Sequence, residues 1–422
     1  MKAYTGYYDR SYKPKKTDLI CQFYVEPGCG LSMKKAAERV AAESSVGTWT
    51  DLTTDKKRIA KLKAQVFEIK GNWVKIAYPI DLFEEGNMPQ ILSSIAGNIF
   101  GMKDVRNLRL YDIHWPEKLM KSFRGPLYGI PGVRAILNTP ERPLCGTIVK
   151  PKLGLNEKEH SKVAYDAWSG GIDIVKDDEN LSSQSFNNFN KRITQTLKMR
   201  DKAEKETGEE KVYMPNITAD VETMIKRAEH VRDEGGEYVM VDILTVGWSG
   251  LQRIREVTQD LKLAIHAHRA MHGALTRNRK HGISMIAIAD IARIIGVDQI
   301  HIGTGVGKMS EKKEEVKNTA DEISKGFLME KDHIMSEQWR YVKPVFPVCS
   351  GGLYPGVVDK LVKLLGNDII IQAGGGIHGH PKGTKAGAKA MRQAIEAVMA
   401  QCSLKEWAEN HKELKEALRK WR

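Results

Sequence analysis

The chain is poor in the features that mark several common protein classes. It contains only five cysteines, Cys21, Cys29, Cys145, Cys349 and Cys402. They are scattered and odd in number, with no CxxC pair, which argues against a disulfide framework and against a structural zinc site. Cys145 and Cys349 lie in apolar runs and read as small core residues. No window is apolar for the length of a membrane span, and the opening MKAYTGYYDRSYKPKK lacks the hydrophobic core of a secretory signal. The expectation is a cytoplasmic protein without membrane contact. A compact basic block interleaved with aromatics is also missing. The formal net charge is +13, but the lysines alternate with glutamates in stretches such as EKKEEVK and HKELKEALRK. Most of that excess reads as solvated helix surface, and no nucleic-acid partner is expected.

What is present is the composition of a globular chain, 41% hydrophobic and 28% charged, and 422 residues suit two domains better than one. Residues 1–125 read as strand (DLICQFYVEP), helix (SMKKAAERVAAESS, with Ser32 as N-cap), hairpin (QVFEIKGNWVKIAYPI, turning at Gly71–Asn72), helix (NMPQILSSIAGNIFG) and strand (VRNLRLYDIHW). That order predicts a small α+β ferredoxin-like domain. A boundary region follows, with Gly125, Pro126, Pro131, Pro140 and Pro143.

From 126 to 422 strands and helices alternate. The strand candidates are PLCGTIVKP, GIDIVKDD, VYMPNI, EYVMVDIL, LAIHAH, QIHIGT, VFPVCS and IIIQAGG. Each is followed by a helical pattern, the sixth taken as one long segment over 315–342. About eight such units predict an α/β fold, a (β/α)8 barrel, whose near-continuous Val/Ile strands suit burial on both faces. The tail from Ser403 reads as one more amphipathic helix, with Trp407, Leu414, Leu418 and Trp421 as its packing stripe.

In such a barrel the chemistry gathers at the C-terminal ends of the strands. Here strand one ends in Lys150 and Lys152, strand two in Lys176, Asp178 and Glu179, and strand five in His266, His268 and Arg269. Strand six ends in His301 and GTGVGK to Lys308, strand seven in Ser350–Gly352, strand eight in Gly374–Gly376. Period-two alternation puts Lys150 with Lys152 on one side, and Lys176 with Asp178, while Asp177 points away as a structural partner. Asp178 and Glu179 offer hard oxygens suited to Mg2+; the same residues also allow a plain ion pair with Lys176. The glycine turns after strands seven and eight favour a phosphate, and Arg269 with His301 could hold a second anion. His266 reads as structure, and His272 is left open. Two anion pockets around a hard metal point to a bisphosphate substrate and enolate chemistry, with Gly303, Gly305 and Gly307 hinging a lid that carries Lys308.

The segments AAESSVGTWT, GNIFG, GTIVKPKLGL, GGIDIVKDDEN, HAHRAMHGA, HIGTGVGK, SGG and QAGGGIHGHP together resemble the large subunit of ribulose-1,5-bisphosphate carboxylase/oxygenase (RuBisCO), most like the archaeal form III branch. The resemblance covers nearly the whole chain. It implies a carboxy-lyase with an oxygenase side activity, acting on ribulose 1,5-bisphosphate, CO2 and O2, in form III linked to nucleotide (AMP) salvage. It implies an activator CO2 held as a carbamate on Lys176, which with Asp178 and Glu179 binds Mg2+. Lys150 is implied as acid/base with Lys152 in support, His268 as an aid to proton transfer, and Lys308 as the lid residue, held by Glu43. Asn98 is implied to orient the substrate. Thr48, Trp49, Gly352, Gly374 and Gly375 are implied at one phosphate, and Arg269, His301 and Ser350 at the other end. Glu43, Thr48, Trp49 and Asn98 come from a neighbouring subunit in this family, which implies a homodimer or an assembly of dimers, without a small subunit. Ile148 stands where plant members carry threonine, and the C-terminal tail is short. The alternatives are a RuBisCO-like enolase or isomerase on a related sugar phosphate, and a Schiff-base aldolase, against which the acids flanking Lys176 argue.

Overall fold

The computed structural model describes residues 4–54, 56–307 and 311–421. The chain divides into two compact units. One comprises the chain up to Arg124 with Met271–Ile295 and Lys325–Val342; the other comprises Gly125–Ala270, Gly296–Ser324 and the chain from Lys343 onward. Among the described residues no helix is long and apolar enough to cross a membrane.

The first unit is built on an antiparallel sheet. Its first strand, Leu19–Pro27, alternates apolar residues inward and pairs with Trp73–Tyr78 on one side and Val105–His114 on the other. Gln65–Lys70 adds to the outer edge of Trp73–Tyr78, so the order is fourth, first, third, second, as a split βαββαβ arrangement requires. The hairpin turns at Gly71–Asn72 as expected, with Gly71 at φ +60°. Helix Met33–Glu43 starts where the Ser32 side chain accepts a hydrogen bond from the Lys35 N–H, and it buries Ala36, Ala37, Val40 and Ala41. The second helix is shorter than expected, Met88–Ile95. Gly97 leaves the helical path (φ −87°, ψ −124°) in a place where a Cβ would lie 2.1 Å from the Ser93 carbonyl, so only glycine fits, and Asn98–Gly101 then forms a separate 3-10 turn. The unit also takes in a short strand, Gly282–Ile283, parallel to Arg109–Leu110.

The second unit holds eight parallel strands: Leu144–Ile148, Ile174–Lys176, Val212–Met214, Tyr238–Asp242, Ala264–His268, Gln299–His301, Phe346–Ser350 and Ile370–Ala373. They pair in the order three, two, one, eight, seven, six, five, four. A bridge between Asn216 and Met240 joins strands three and four and closes the barrel. Leu144, Ile174, Val212, Tyr238, Phe346 and Ile370 form its buried core with Ile130 and Val133 of helix Gly129–Ile136. That leaves the polar residues to the opposite ends of the strands.

Two expected elements are corrected. The segment 315–342 is not one helix: Lys313–Ser324 is helical, and after Gly326 the chain forms a small hairpin, Phe327–Leu328 against Glu337–Gln338. Gly326 stops the helix, and GFLMEKDHIMSEQW carries no 3.6-residue apolar repeat to restart it. The tail is two short helices, Leu404–Trp407 and Lys412–Lys420. His411 stacks on Trp407, and its Nδ1 lies 2.6 Å from the Trp407 carbonyl, which ends the first of them.

Candidate active site

The second strand ends in four consecutive polar residues, and the structure separates their tasks. Lys176 is the last strand residue and is sealed, 1% exposed. Its Nζ donates to the Asp177 carbonyl at 2.6 Å and lies 3.9 Å from Glu179 Oε2. Burial lowers the Lys176 pKa below the usual ammonium range, although Glu179, Asp178, Asp242 and Asp177 all pull it upward. Removing an ammonium from water outweighs four partly shielded carboxylates.

Asp177 turns outward, as alternation predicts. Its Oδ1 accepts from the Tyr213 hydroxyl (2.6 Å) and lies 3.1 Å from His160 Nε2; its Oδ2 meets the Asn216 N–H (2.9 Å) and the Arg192 guanidinium (3.2 and 3.1 Å). Burial alone would raise its pKa, but Arg192, His160 and Tyr213 hold it far below the carboxylate range. Asp177 is an anchor, and anchoring it fixes the directions of Lys176 and Asp178.

Asp178 faces Lys150, whose Nζ donates to Oδ2 at 2.7 Å, while the Asn180 backbone and side chain donate to Oδ1. Burial opposes ionisation of Asp178, yet the Lys150 and Asn180 hydrogen bonds keep its pKa low. Strand one stops at Ile148, so Lys150 and Lys152 lie beyond it and strand alternation does not relate them; Pro151, with no N–H, cannot continue the ladder. Lys150 turns into the site, whereas Lys152 is exposed. Opposite them, Gly374 packs on Lys150: a Cβ there would sit 3.0 Å from Lys150 Cε.

His268 ends strand five, with Nδ1 2.8 Å from Asp242 Oδ1 and Nε2 3.7 Å from Glu179 Oε2. Arg269 is buried and paired with Glu311 at 2.6 Å; its Nη1 has no hydrogen-bond partner among the described residues. His301 meets His266 (Nε2 to Nε2, 2.8 Å) and Ser350 (Nδ1 to Oγ, 2.6 Å). After Ser350, Gly351 and Gly352 take φ of +117° and +76°, conformations that favour glycine. The turn after strand eight comes so close to the turn after strand seven that a Cβ on Gly376 would meet the Leu353 carbonyl at 2.0 Å. Gly375 is open to solvent.

Lys150, Lys176, Asp178, Glu179, His268, Arg269, His301, Ser350, Gly352, Gly374 and Gly375 thus all belong to the barrel unit, at the C-terminal ends of its strands. Lys308 lies outside the described residues. Glu43, Thr48, Trp49 and Asn98 belong to the other unit: Glu43 ends a helix and accepts from the Tyr4 hydroxyl at 2.6 Å, Trp49 is 76% exposed, and Asn98 opens the 3-10 turn on the surface. Reading the sequence missed Asp242, Asn180, Glu311 and Gln299. Asp242 carried a signal, an acid closing an apolar strand just as Asp178 follows one.

The donors suit a hard divalent cation. Asp178 and Glu179 supply carboxylate oxygens beside a sealed amine; among the described residues no three His, Cys, Asp or Glu side chains are arranged to hold a metal.

Two family models cover almost the whole chain: ribulose bisphosphate carboxylase large chain, N-terminal domain, over residues 6–119, and the catalytic domain of the same chain over residues 129–421. A curated ribulose bisphosphate carboxylase from Methanocaldococcus jannaschii is 53% identical, covering 99% of this chain and 100% of that protein. Its counterpart from Methanosarcina mazei is 50% identical over 98% of each chain. Among solved structures, the dimeric archaeal Rubisco from Hyperthermus butylicus superposes with a TM-score of 0.94 at 47% identity, covering 99% of both chains. An octameric Rubisco from Pyrococcus horikoshii, in complex with sulfate ion, gives 0.92 at 49% identity, covering 99% of this chain and 97% of that one.

Proposed function

The chain belongs to the ribulose bisphosphate carboxylase large-chain family, consistent with its archaeal form III branch, and we propose that it converts ribulose 1,5-bisphosphate and CO2 to two molecules of 3-phosphoglycerate, with an oxygenase side reaction. The observation that carries this reading is Lys176: an amine sealed in the barrel mouth, its charge disfavoured by burial, 3.9 Å from one of two carboxylates. An ordinary ion pair gains nothing from a cation that is costly to keep charged. A neutral amine can add to CO2 and release a proton, leaving a carbamate. That places a third anion beside Asp178 and Glu179. Two unit charges ~4 Å apart repel by about 4 kcal/mol at an effective dielectric of ~20, so the carbamate should persist only with a cation present.

Lys176, Asp178 and Glu179 would hold Mg2+. When bound, Mg2+ would act as a Lewis acid on the substrate's vicinal oxygens and make the C3 proton acidic. The modified Lys176 takes that proton. His268, fixed by Asp242, serves proton transfer at the C3 oxygen. Lys150, held at 2.7 Å by Asp178, is positioned as acid/base and supplies the final proton, with Lys152 nearby in the sequence as electrostatic support. Gly352, Gly374 and Gly375 bring bare backbone to one phosphate. Arg269, His301 and Ser350 form the other end of the substrate site, where an anion would satisfy Arg269 Nη1, which has no hydrogen-bond partner among the described residues. Lys308 is assigned to stabilising the new carboxylate.

In this reading Glu43, Thr48, Trp49 and Asn98 complete the site of a neighbouring subunit, so a homodimer is the least working unit. The dimeric and octameric relatives support a homodimer or an assembly of dimers, and no small subunit is expected. The form III likeness supports a role in AMP salvage, in the cytoplasm. The test is fixation of labelled CO2 into 3-phosphoglycerate, with and without preincubation in CO2 and Mg2+. Fixation that needs both supports the proposal. Loss of the substrate C3 proton without any fixation would support the enolase-like alternative instead.

A further inference from the structure

Four side chains form a single hydrogen-bonded line through the barrel interior. Gln299 Nε2 lies 2.8 Å from His266 Nδ1 and 3.1 Å from Met214 Sδ. His266 Nε2 lies 2.8 Å from His301 Nε2, and His301 Nδ1 lies 2.6 Å from Ser350 Oγ. Gln299, His266 and His301 are at most 2% exposed. Burial holds both histidines neutral, well below their usual range.

A neutral imidazole has one donor and one acceptor nitrogen. The direction of the first bond therefore dictates all the others. The Gln299 amide nitrogen faces two acceptors, a thioether sulfur and an imidazole nitrogen. Turning the amide over would aim its carbonyl at the sulfur and bury an NH2 group without an acceptor, leaving two donors unsatisfied in place of one carbonyl. With the nitrogen inward, His266 Nδ1 accepts and its Nε2–H donates to His301. His301 accepts on Nε2 and donates from Nδ1–H to Ser350 Oγ. The serine oxygen is then engaged as an acceptor, and its own proton is left to point elsewhere.

We infer that Gln299 and His266 are positioning residues that orient this line so that Ser350 is a fixed hydrogen-bond donor to an anionic group of the substrate. Here His301 acts through Ser350, since both of its ring nitrogens are already committed. The inference rests on the proposed function for the identity of the anion, and not for the order of the protons.

Two measurements separate them. Neutron diffraction from deuterium-exchanged crystals of the full chain is expected to show deuterium on His266 Nε2 and His301 Nδ1. The opposite pair of positions would overturn the relay and leave the substrate reading standing. In Gln299→Glu the carboxylate accepts from His266 Nδ1–H, the line reverses, and Ser350 spends its proton on His301. The KM for ribulose 1,5-bisphosphate should then rise about tenfold, the value of a hydrogen bond to a charged group, with kcat changed by less than about threefold. Ser350→Ala should cost about the same, and the double variant no more than either alone. The expected proton order with an unmoved KM would overturn the link to the substrate. If Gln299→Glu does not fold, Gln299→Met, which gives the line no direction, takes its place, and an unmoved KM there counts equally against the link.

Discussion

Replacing Asp177 by Asn removes one charge from a site that touches no substrate, and its effect can be worked from the contacts. Asp177 is fully buried, as is Arg192, whose guanidinium lies 3.2 and 3.1 Å from Oδ2. Three further groups, from Tyr213, Asn216 and His160, converge on the same carboxylate. An asparagine fits the space but offers one acceptor oxygen to these donors and turns an NH2 toward the rest. Breaking a buried pair from one side costs roughly 3–5 kcal/mol, because the remaining charge stays buried and uncompensated. That is more than two decades in the unfolding equilibrium, at about 1.4 kcal/mol per decade. Urea denaturation at fixed protein concentration would read the loss, and activity should fall with it, since Asp177 sets the directions of Lys176 and Asp178. The double variant Asp177→Asn/Arg192→Met removes the stranded charge and should regain more than half of the lost stability. A single variant within about 1 kcal/mol of the parent, or a double variant less stable than the single, would show that Asp177 and Arg192 are not a stabilising buried pair.

Three other outcomes are expected. Burial holds His378, between Thr147 and Thr384, down to about 4 from an ordinary 6.5. Its neutral form therefore stabilises the fold fully above pH ~6.5, and this contribution is lost as the pH falls toward 4, about 2–3 kcal/mol by pH 4.5; His378→Gln should flatten the denaturation midpoints between pH 7.5 and 4.5, and an unchanged slope would contradict the assignment. Lys176→Met removes a desolvated ammonium from the barrel mouth, so in CO2-free buffer it should be at least as stable as the parent while fixing no CO2; a loss of more than about 1 kcal/mol would show the unmodified lysine to be a stabilising ion-pair partner. Lys308→Ala should spare exchange of the substrate C3 proton and lose carboxylation, whereas equal loss of both would remove Lys308 from the carboxylation step.

The barrel was legible because each strand carries an apolar run that ends abruptly in polar residues, and one residue of parity was enough to set Asp177 apart from its neighbours. The N-terminal sheet was legible from its strand–helix–hairpin order. Less legible was anything decided by where a strand stops. Lys150 and Lys152 looked like partners on one face, but the strand ends before either, and only Lys150 turns inward. The segment 325–342 kept a helix-like density of charge and concealed a hairpin. Nor does the run of acids after Lys176 foretell that burial outweighs them and lowers its pKa. Burial at a barrel mouth is a property of all eight strand ends together, which no local pattern encodes. The same holds for Gln299 and His266, which look like core polar residues until their neighbours across the sheet are known.

Activity in this protein turns on what becomes of the nitrogen at position 176. Full-length protein can be incubated with 13CO2, with and without Mg2+, the product fixed by carboxylate alkylation, and the peptide containing residues 174–180 weighed. One labelled carboxyl group on Lys176, retained with Mg2+ and largely lost without it, is the predicted result. A fully active preparation in which that lysine carries no added mass would contradict it.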